Sequence, residues 1–535
     1  MKQSFLSLIT LYTIFIQTSF AQLQTGENVA VTNTEAGKVR GYIHNGIYTY
    51  KGIPYAEAKR FEYPQKAKSW TNTRSSLSYG PVAPLPDPTT SVSDEPEFVF
   101  HHDWGFTNED CLRINIWSPA LNDGKKRPVM FWIHGGGFTT GSSQELPSYD
   151  GENLSKKGDV VVVSINHRLN ILGFLDLSAY GEKYKNSANA GMVDIVSALE
   201  WVKNNISNFG GDPSNVTIFG QSGGGAKVQT LMCMPSAKGL FHKAINESGA
   251  ARPGMLDKAT TQAVAAQVLK ELNISTDKVD EIQNVPFQKL SDAGKKAIQV
   301  VTDRLKAEGK PVGIPGYGIG WGPSIDGNVL PFDYYDKQSL ELSKDIPLLI
   351  GTTINEFMPF RGGLNPNTTE QQAIEAVKKT YGAKTDAYLS ALKKAYPSVK
   401  PSNYLSFDFT YRPGAIRFSN EKSALKAAPV YLYLFDWQSP VMDGKYKAVH
   451  CMEIPFVFNN IARCEEMTGG TKEAYILAEK MSQAWINFAR SGNPNHKGLP
   501  NWPVYNASNT ATMHFDNTCK VMPQHDGELL EVVLK

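Results

Sequence analysis

Gly220-Gln221-Ser222-Gly223-Gly224 forms a G-x-S-x-G pattern. A serine hydroxyl is a weak nucleophile until a base takes its proton, and attack on a carbonyl creates an oxyanion that needs donors. Glycines two residues either side of a serine let the chain turn sharply from strand to helix. That turn lifts the hydroxyl above the sheet edge, where a side chain at either glycine would crowd it. So short a pattern also arises by chance, and a plain structural turn is its competing reading. The flanks favour chemistry: Val216 to Phe219 are β-branched or aromatic, as a buried strand wants, and Ala226 to Met232 can form a helix. The helix N-terminus would point partial positive charge at the serine oxygen.

A second set of groups precedes the serine. Gly135-Gly136-Gly137 follows the apolar run Pro128 to His134. Backbone without side chains can approach a substrate closely and present N–H groups. The competing reading is a flexible turn.

The elements that must position these groups alternate in type. Apolar strands are expected at Leu112 to Ile116, Pro128 to His134, Val160 to Ile165, Val216 to Phe219, Lys243 to Glu247, Ile346 to Thr352 and Val430 to Trp437. Helical spacing runs over Val193 to Asn204, through the charged stretch 255–310, over 369–396 and over Glu473 to Arg490. Short strands with hairpin turns occupy Val29 to Tyr55, and Pro81 to Pro96 reads as a surface loop. Strands alternating with helices predict an α/β fold: a large, mostly parallel sheet with helices on both faces.

The chain has 535 residues, 41% of them hydrophobic, and a net charge of +2. That balance shows neither the basic surplus of a nucleic-acid binder nor an acidic tail. Lys2, the apolar run Phe5 to Ile16 and Ser19-Phe20-Ala21 read as a cleaved export signal over residues 1–21, with the mature chain starting at Gln22. No later apolar stretch is expected to anchor the chain in a membrane. The mature protein, 22–535, is expected to be one exported, secreted or periplasmic, catalytic domain. Of the five cysteines, an odd number in an exported protein, at least one is unpaired, and their spacing fits no zinc pattern. Cys464 and Cys519 are a candidate disulfide. Sequons fall at Asn153, Asn205, Asn215, Asn246, Asn273, Asn367 and Asn506. Those at Asn215 and Asn246 lie in strand-like stretches that would be hard to glycosylate.

With these residues in place, the chain resembles the type-B carboxylesterases, the family that includes cholinesterase-like enzymes, within the α/β-hydrolase fold. The ordered landmarks are GIPYA (Gly52 to Ala56), EDCL (Glu109 to Leu112), HGGGF (His134 to Phe138), NHRLNILGFL (Asn166 to Leu175), FGGDP (Phe209 to Pro213), GQSGGG, ESG (Glu247 to Gly249), HCMEIPFVF (His450 to Phe458) and WINFARSGNPN (Trp485 to Asn495). The resemblance implies a serine esterase without a metal or organic cofactor, acting on a small-molecule ester. It implies Ser222 as nucleophile, Glu356 as acid and His450 as base, one of 10 histidines. It further implies an oxyanion hole from the N–H groups of Gly136, Gly137 and Gly223, and a supporting serine at Ser248.

Four positions depart from the family pattern. Gln221 and Gly223 stand where glutamate and alanine usually flank the nucleophile. Ala83 replaces the usual partner of Cys111, and Cys451 stands where a glycine usually follows the histidine. The loop from Pro84 to Thr107 lacks the tryptophan environment of a choline-binding gorge, and Trp104 reads as misplaced for one, which argues against cholinesterase activity. A lipase or amidase could use the same triad; a non-catalytic adhesion member would have lost the serine or the histidine.

For the acid, Asp326, Asp345 and Asp436 compete with Glu356. Asp326 falls in a turn, where aspartate bonds its own backbone. Asp345 precedes a strand, at the wrong end for an active site in a parallel sheet. Asp436 ends a strand, so its position does not exclude it. Glu356 follows the strand Ile346 to Thr352 at its C-terminal end.

Overall fold

The computed structural model describes residues 23–86, 94–361 and 364–534. The expected export signal at 1–21 lies outside them. Twelve strands form the central sheet. In chain order they are β1 (Leu23–Gln24), β2 (Tyr42–His44), β3 (Ile47–Pro54), β4 (Arg113–Ser118), β5 (Arg127–Ile133), β6 (Val161–Ile165), β7 (Gly211–Gln221), β8 (Lys243–Glu247), β9 (Leu348–Thr353), β10 (Val430–Phe435), β11 (Thr512–Phe515) and β12 (Lys520–Met522). Their order across the sheet is β1-β2-β3-β4-β6-β5-β7-β8-β9-β10-β11-β12. From β6 to β11 every pairing is parallel. The strands before β6 in that order, and β12 at the far edge, pair antiparallel.

The continuous apolar runs are explained by burial on both faces. Along β5, Val129, Phe131 and Ile133 join one core while Met130 and Trp132 join the other. Helices α1 (Ala190–Asn205) and α2 (Gly223–Leu231) cover the first face. The face holding Trp132 packs against the long terminal helix Lys472–Ser491, through Leu477, Met481 and Trp485. The stretch 255–310 contains the helices Lys258–Glu271 and Phe287–Ala307, which share a smaller core of their own. The helical stretch 369–396 is two helices, Glu370–Tyr381 and Thr385–Ala395, separated at Gly382, whose φ of +54° breaks the first.

The proposed disulfide between Cys464 and Cys519 is absent. Both are buried free thiols, as is Cys111. Chain spacing carries no information on the Cβ geometry a disulfide requires. Asn246 is fully buried in β8 and Asn205 in α1, so the folded chain shields both sequons.

Candidate active site

Strand β7 ends at Gln221 and α2 begins at Gly223, leaving Ser222 alone in the turn between them with φ +58° and ψ −123°. That backbone is costly for a side-chain-bearing residue and is held by its neighbours. The Ser222 N–H donates to the Glu247 carbonyl of β8 at 2.8 Å, and its own carbonyl accepts from Ala226 N at 2.9 Å. The flanking glycines are required sterically. A methyl at Gly224 would lie 2.0 Å from the Ile133 carbonyl oxygen, and one at Gly220 would lie 2.5 Å from the same atom.

Two loops bring the other chemical groups to this edge. The bend after β9 carries Glu356, fully buried and at φ +38°. Its Oε1 accepts from Thr353 N at 2.9 Å and from Ser248 Oγ at 2.7 Å. Its Oε2 bonds His450 Nδ1. The Glu356 carbonyl also accepts from His450 N at 3.0 Å, so backbone and side chain together fix the histidine to the acid. Phe357 packs on the imidazole at a centroid distance of 4.2 Å. Ser248 thus contacts the carboxylate oxygen of the acid opposite the one that bonds the histidine.

The departures Gln221 and Cys451 meet each other. Gln221 Nε2 lies 3.4 Å from His450 Nδ1 and 3.3 Å from Nε2. Cys451 Sγ donates to Gln221 Oε1 at 3.1 Å. Cys451 holds φ +73°, which accounts for glycine being the usual residue there. Burial pushes its thiol well above the ordinary range.

The glycine run lies against Ser222. Gly136 and Gly137 adopt φ +76° and +62°. Their N–H groups donate to nothing among the described residues, and Gly223, as first residue of α2, has no intrahelical acceptor. Beneath the run, buried Lys227 donates to the His134 and Gly135 carbonyls at 3.0 and 3.3 Å. Burial lowers the Lys227 ammonium to about 7, opposed by Glu145. Burial raises Glu145 to about 7, opposed by its bond from Tyr149.

Ser222, His450, Gly136, Gly137 and Gly223 all line one cavity of about 630 Å³. That is the size of a site for a small organic ligand. Its walls include Phe100, Trp104, Phe138, Phe357 and Tyr411. Trp104 lines this cavity and stacks on His102 at 4.6 Å. The wall residues come from segments far apart in the chain, the helix Asp94–Phe100 among them, so spacing along the chain carried no sign of them. Among the described residues, no group of three or more His, Cys, Asp or Glu side chains converges to hold a metal ion. No described helix is long and apolar enough to cross a membrane.

The rival carboxylates are engaged elsewhere. Asp326 accepts from Asn328 N and Leu330 N in its own turn. Asp345 is exposed. Asp436 bonds His514.

Comparison with known proteins shows the family of the chain. The model of the "Carboxylesterase family" matches residues 28–529. A para-nitrobenzyl esterase of Bacillus subtilis is 34% identical over 93% of this chain and 97% of its own length. A phenmedipham hydrolase of Pseudarthrobacter oxydans is 32% identical over 90% of this chain and 94% of its own. Among solved structures, an esterase from anaerobic Clostridium hathewayi, described as able to hydrolyze aliphatic aromatic polyesters, superposes with a TM-score of 0.83 at 39% identity. The match covers 95% of this chain and 98% of that one.

Proposed function

The chain belongs to the carboxylesterase family and is a carboxylic ester hydrolase, and we propose that it works by acyl transfer through Ser222, His450 and Glu356. The observation that carries this reading is the bond from His450 Nδ1 to the buried Glu356 carboxylate, in a histidine that shares its cavity with Ser222. With Nδ1 facing the carboxylate, the ring proton sits there and Nε2 is the free base. His450 takes the Ser222 proton as Oγ attacks the ester carbonyl. The oxyanion is held by the N–H groups of Gly136, Gly137 and Gly223, which are preorganised by the glycine loop and the start of α2 and so stabilise charge as it develops. The alcohol departs with the proton from His450. Water then repeats the sequence on the acyl-enzyme and releases the acid. Ser248 supports the acid by donating to Glu356.

The aromatic walls support esters with apolar or aromatic groups, in keeping with the polyester activity described for the Clostridium hathewayi enzyme. We extend the proposal to location: the leader pattern at residues 1–21 supports export. The experiment is a series of p-nitrophenyl esters of increasing acyl length, run beside an anilide and an emulsified triglyceride. The reading expects turnover of the soluble esters above both alternatives. An anilide or emulsion rate exceeding every soluble ester would replace it with an amidase or a lipase.

A further inference from the structure

The catalytic cavity holds one unpaired permanent cation. Arg252 is the single arginine or lysine among the described residues that line it. Its guanidinium carbon lies 5.1 Å from the Phe138 ring centroid and 5.4 Å from that of Tyr317. No carboxylate among the described residues pairs with it, and the faces of the two rings flank its guanidinium. Glu97, one carboxylate of the cavity wall, is bonded to the backbone and ring of His102. Glu145, another, is buried and accepts from Tyr149 and Ser142.

This placement is informative on three counts. A guanidinium stays charged at every working pH and offers a planar fork of N–H donors that matches a carboxylate. Ring faces orient such a group without consuming its in-plane donors. Chain position also ties it to the catalytic groups: its neighbour Phe138 directly follows Gly137 of the glycine run, and Arg252 itself lies shortly after Ser248 and Gly249. Gly322 leaves space for it, since a methyl there would lie 2.8 Å from Arg252 Nη1.

We propose that Arg252 receives a free carboxylate on the substrate, so that the cavity selects esters carrying a second, ionised acid group. Half-esters of dicarboxylic acids carry that group on the acyl side, and acyl esters of hydroxy acids carry it on the alcohol side. Aromatic versions of either fill the walls described above. This rests on the ester-hydrolase reading of the same cavity.

The test compares matched pairs that differ only in charge. Monomethyl terephthalate against methyl 4-carbamoylbenzoate probes the acyl side; 4-acetoxybenzoate against 4-acetoxybenzamide probes the alcohol side. The ratio of kcat/KM for anion over amide is read in the wild type, Arg252→Gln and Arg252→Lys. A charged, bidentate contact predicts a wild-type ratio of about 10 to 100 in one arm, and the arm that shows it identifies the half facing Arg252. The ratio falls to about one in Arg252→Gln and is partly kept in Arg252→Lys. Should Arg252→Gln be recovered unfolded, Gly322→Ala reads the same ratio, because its methyl displaces Nη1 while the charge remains. Ratios near one in both wild-type arms, or a preference that survives Arg252→Gln, overturn the assignment. In that event, Ser222-dependent hydrolysis of the amide members leaves the esterase reading standing. If no member of either pair is hydrolysed, both fall together.

Discussion

Asp436 Oδ2 bonds His514 Nδ1 at 2.5 Å, a second carboxylate–histidine pair in the same sheet that takes no part in the cavity around Ser222. Asp436 follows β10 much as Glu356 follows β9, and both strands deliver a carboxylate to the same end of the sheet. Only Glu356 reaches His450. The prediction is a contrast between two neutral isosteres. Glu356→Gln loses about 10³ to 10⁴ in kcat, because the histidine loses the charge that stabilises its protonated form. Asp436→Asn costs less than about tenfold, since it makes no contact special to the transition state. Steady-state kinetics on one soluble ester checks both, and a crippled Asp436→Asn beside a near-normal Glu356→Gln would reverse the acid assignment.

The contrast also marks how far sequence reasoning reached. Ser222 and the run Gly135 to Gly137 were legible because their chemistry is local: a sharp turn and a side-chain-free loop need glycines at fixed spacing. Strands such as β5, β6, β9 and β10 were legible because they are buried on both faces and so are largely apolar, whereas the polar start of β7, Gly211 to Asn215, carried no such signal. Glu356 was preferred to Asp436 through family resemblance, since both follow the C-terminal end of a strand; their histidines lie far along the chain, and only the fold pairs them. Arg252 carried no signal at all: a lone arginine in a loop looks like any solvated charge until Phe138 and Tyr317 flank it. The wall position of Trp104 and the left-handed backbone of Cys451 carried no sequence signal for the same reason, since both are properties of the folded loop.

Gly223 gives a steric prediction. An added methyl there would lie 2.2 Å from the Gly137 carbonyl oxygen and 2.4 Å from Gly137 N. Alanine, the usual residue of the family at this position, therefore does not fit this loop as it stands. Gly223→Ala should push Gly137 out of line with Ser222 and lower kcat by about a hundredfold to a thousandfold, the range for a lost oxyanion donor. Its thermal midpoint should change little, because the loop is at the cavity surface. Full activity in Gly223→Ala would show that the glycine run yields without cost to catalysis.

Glu247 gives a pH prediction. It is fully buried at the end of β8, where Oε1 accepts from Trp485 Nε1 at 2.7 Å and Oε2 has no hydrogen-bond partner among the described residues. Burial raises its carboxyl from 4.5 to about 8. Between those values the folded chain keeps a proton that the unfolded chain releases, so this group makes stability fall as pH rises through the window. Glu247→Gln keeps the acceptor for Trp485 and cannot titrate. Whatever offset the substitution brings below pH 4.5, the stability gap should move in favour of glutamine toward pH 8, at no more than about 1.4 kcal/mol per pH unit. Urea denaturation of both proteins across that range measures it, and a gap that stays constant with pH would contradict the buried, protonated acid.

The central claim is that Ser222 carries the acyl group. An organophosphate ester, used to trap the nucleophile, should inactivate the enzyme as one adduct forms per chain, and peptide mapping by mass spectrometry should find that adduct on the peptide containing Ser222. Ser222→Ala should take no label, fold normally and lose about 10⁶ in kcat if the triad acts as a unit. An adduct on any other residue, or a folded Ser222→Ala enzyme with near-native turnover, would contradict the account.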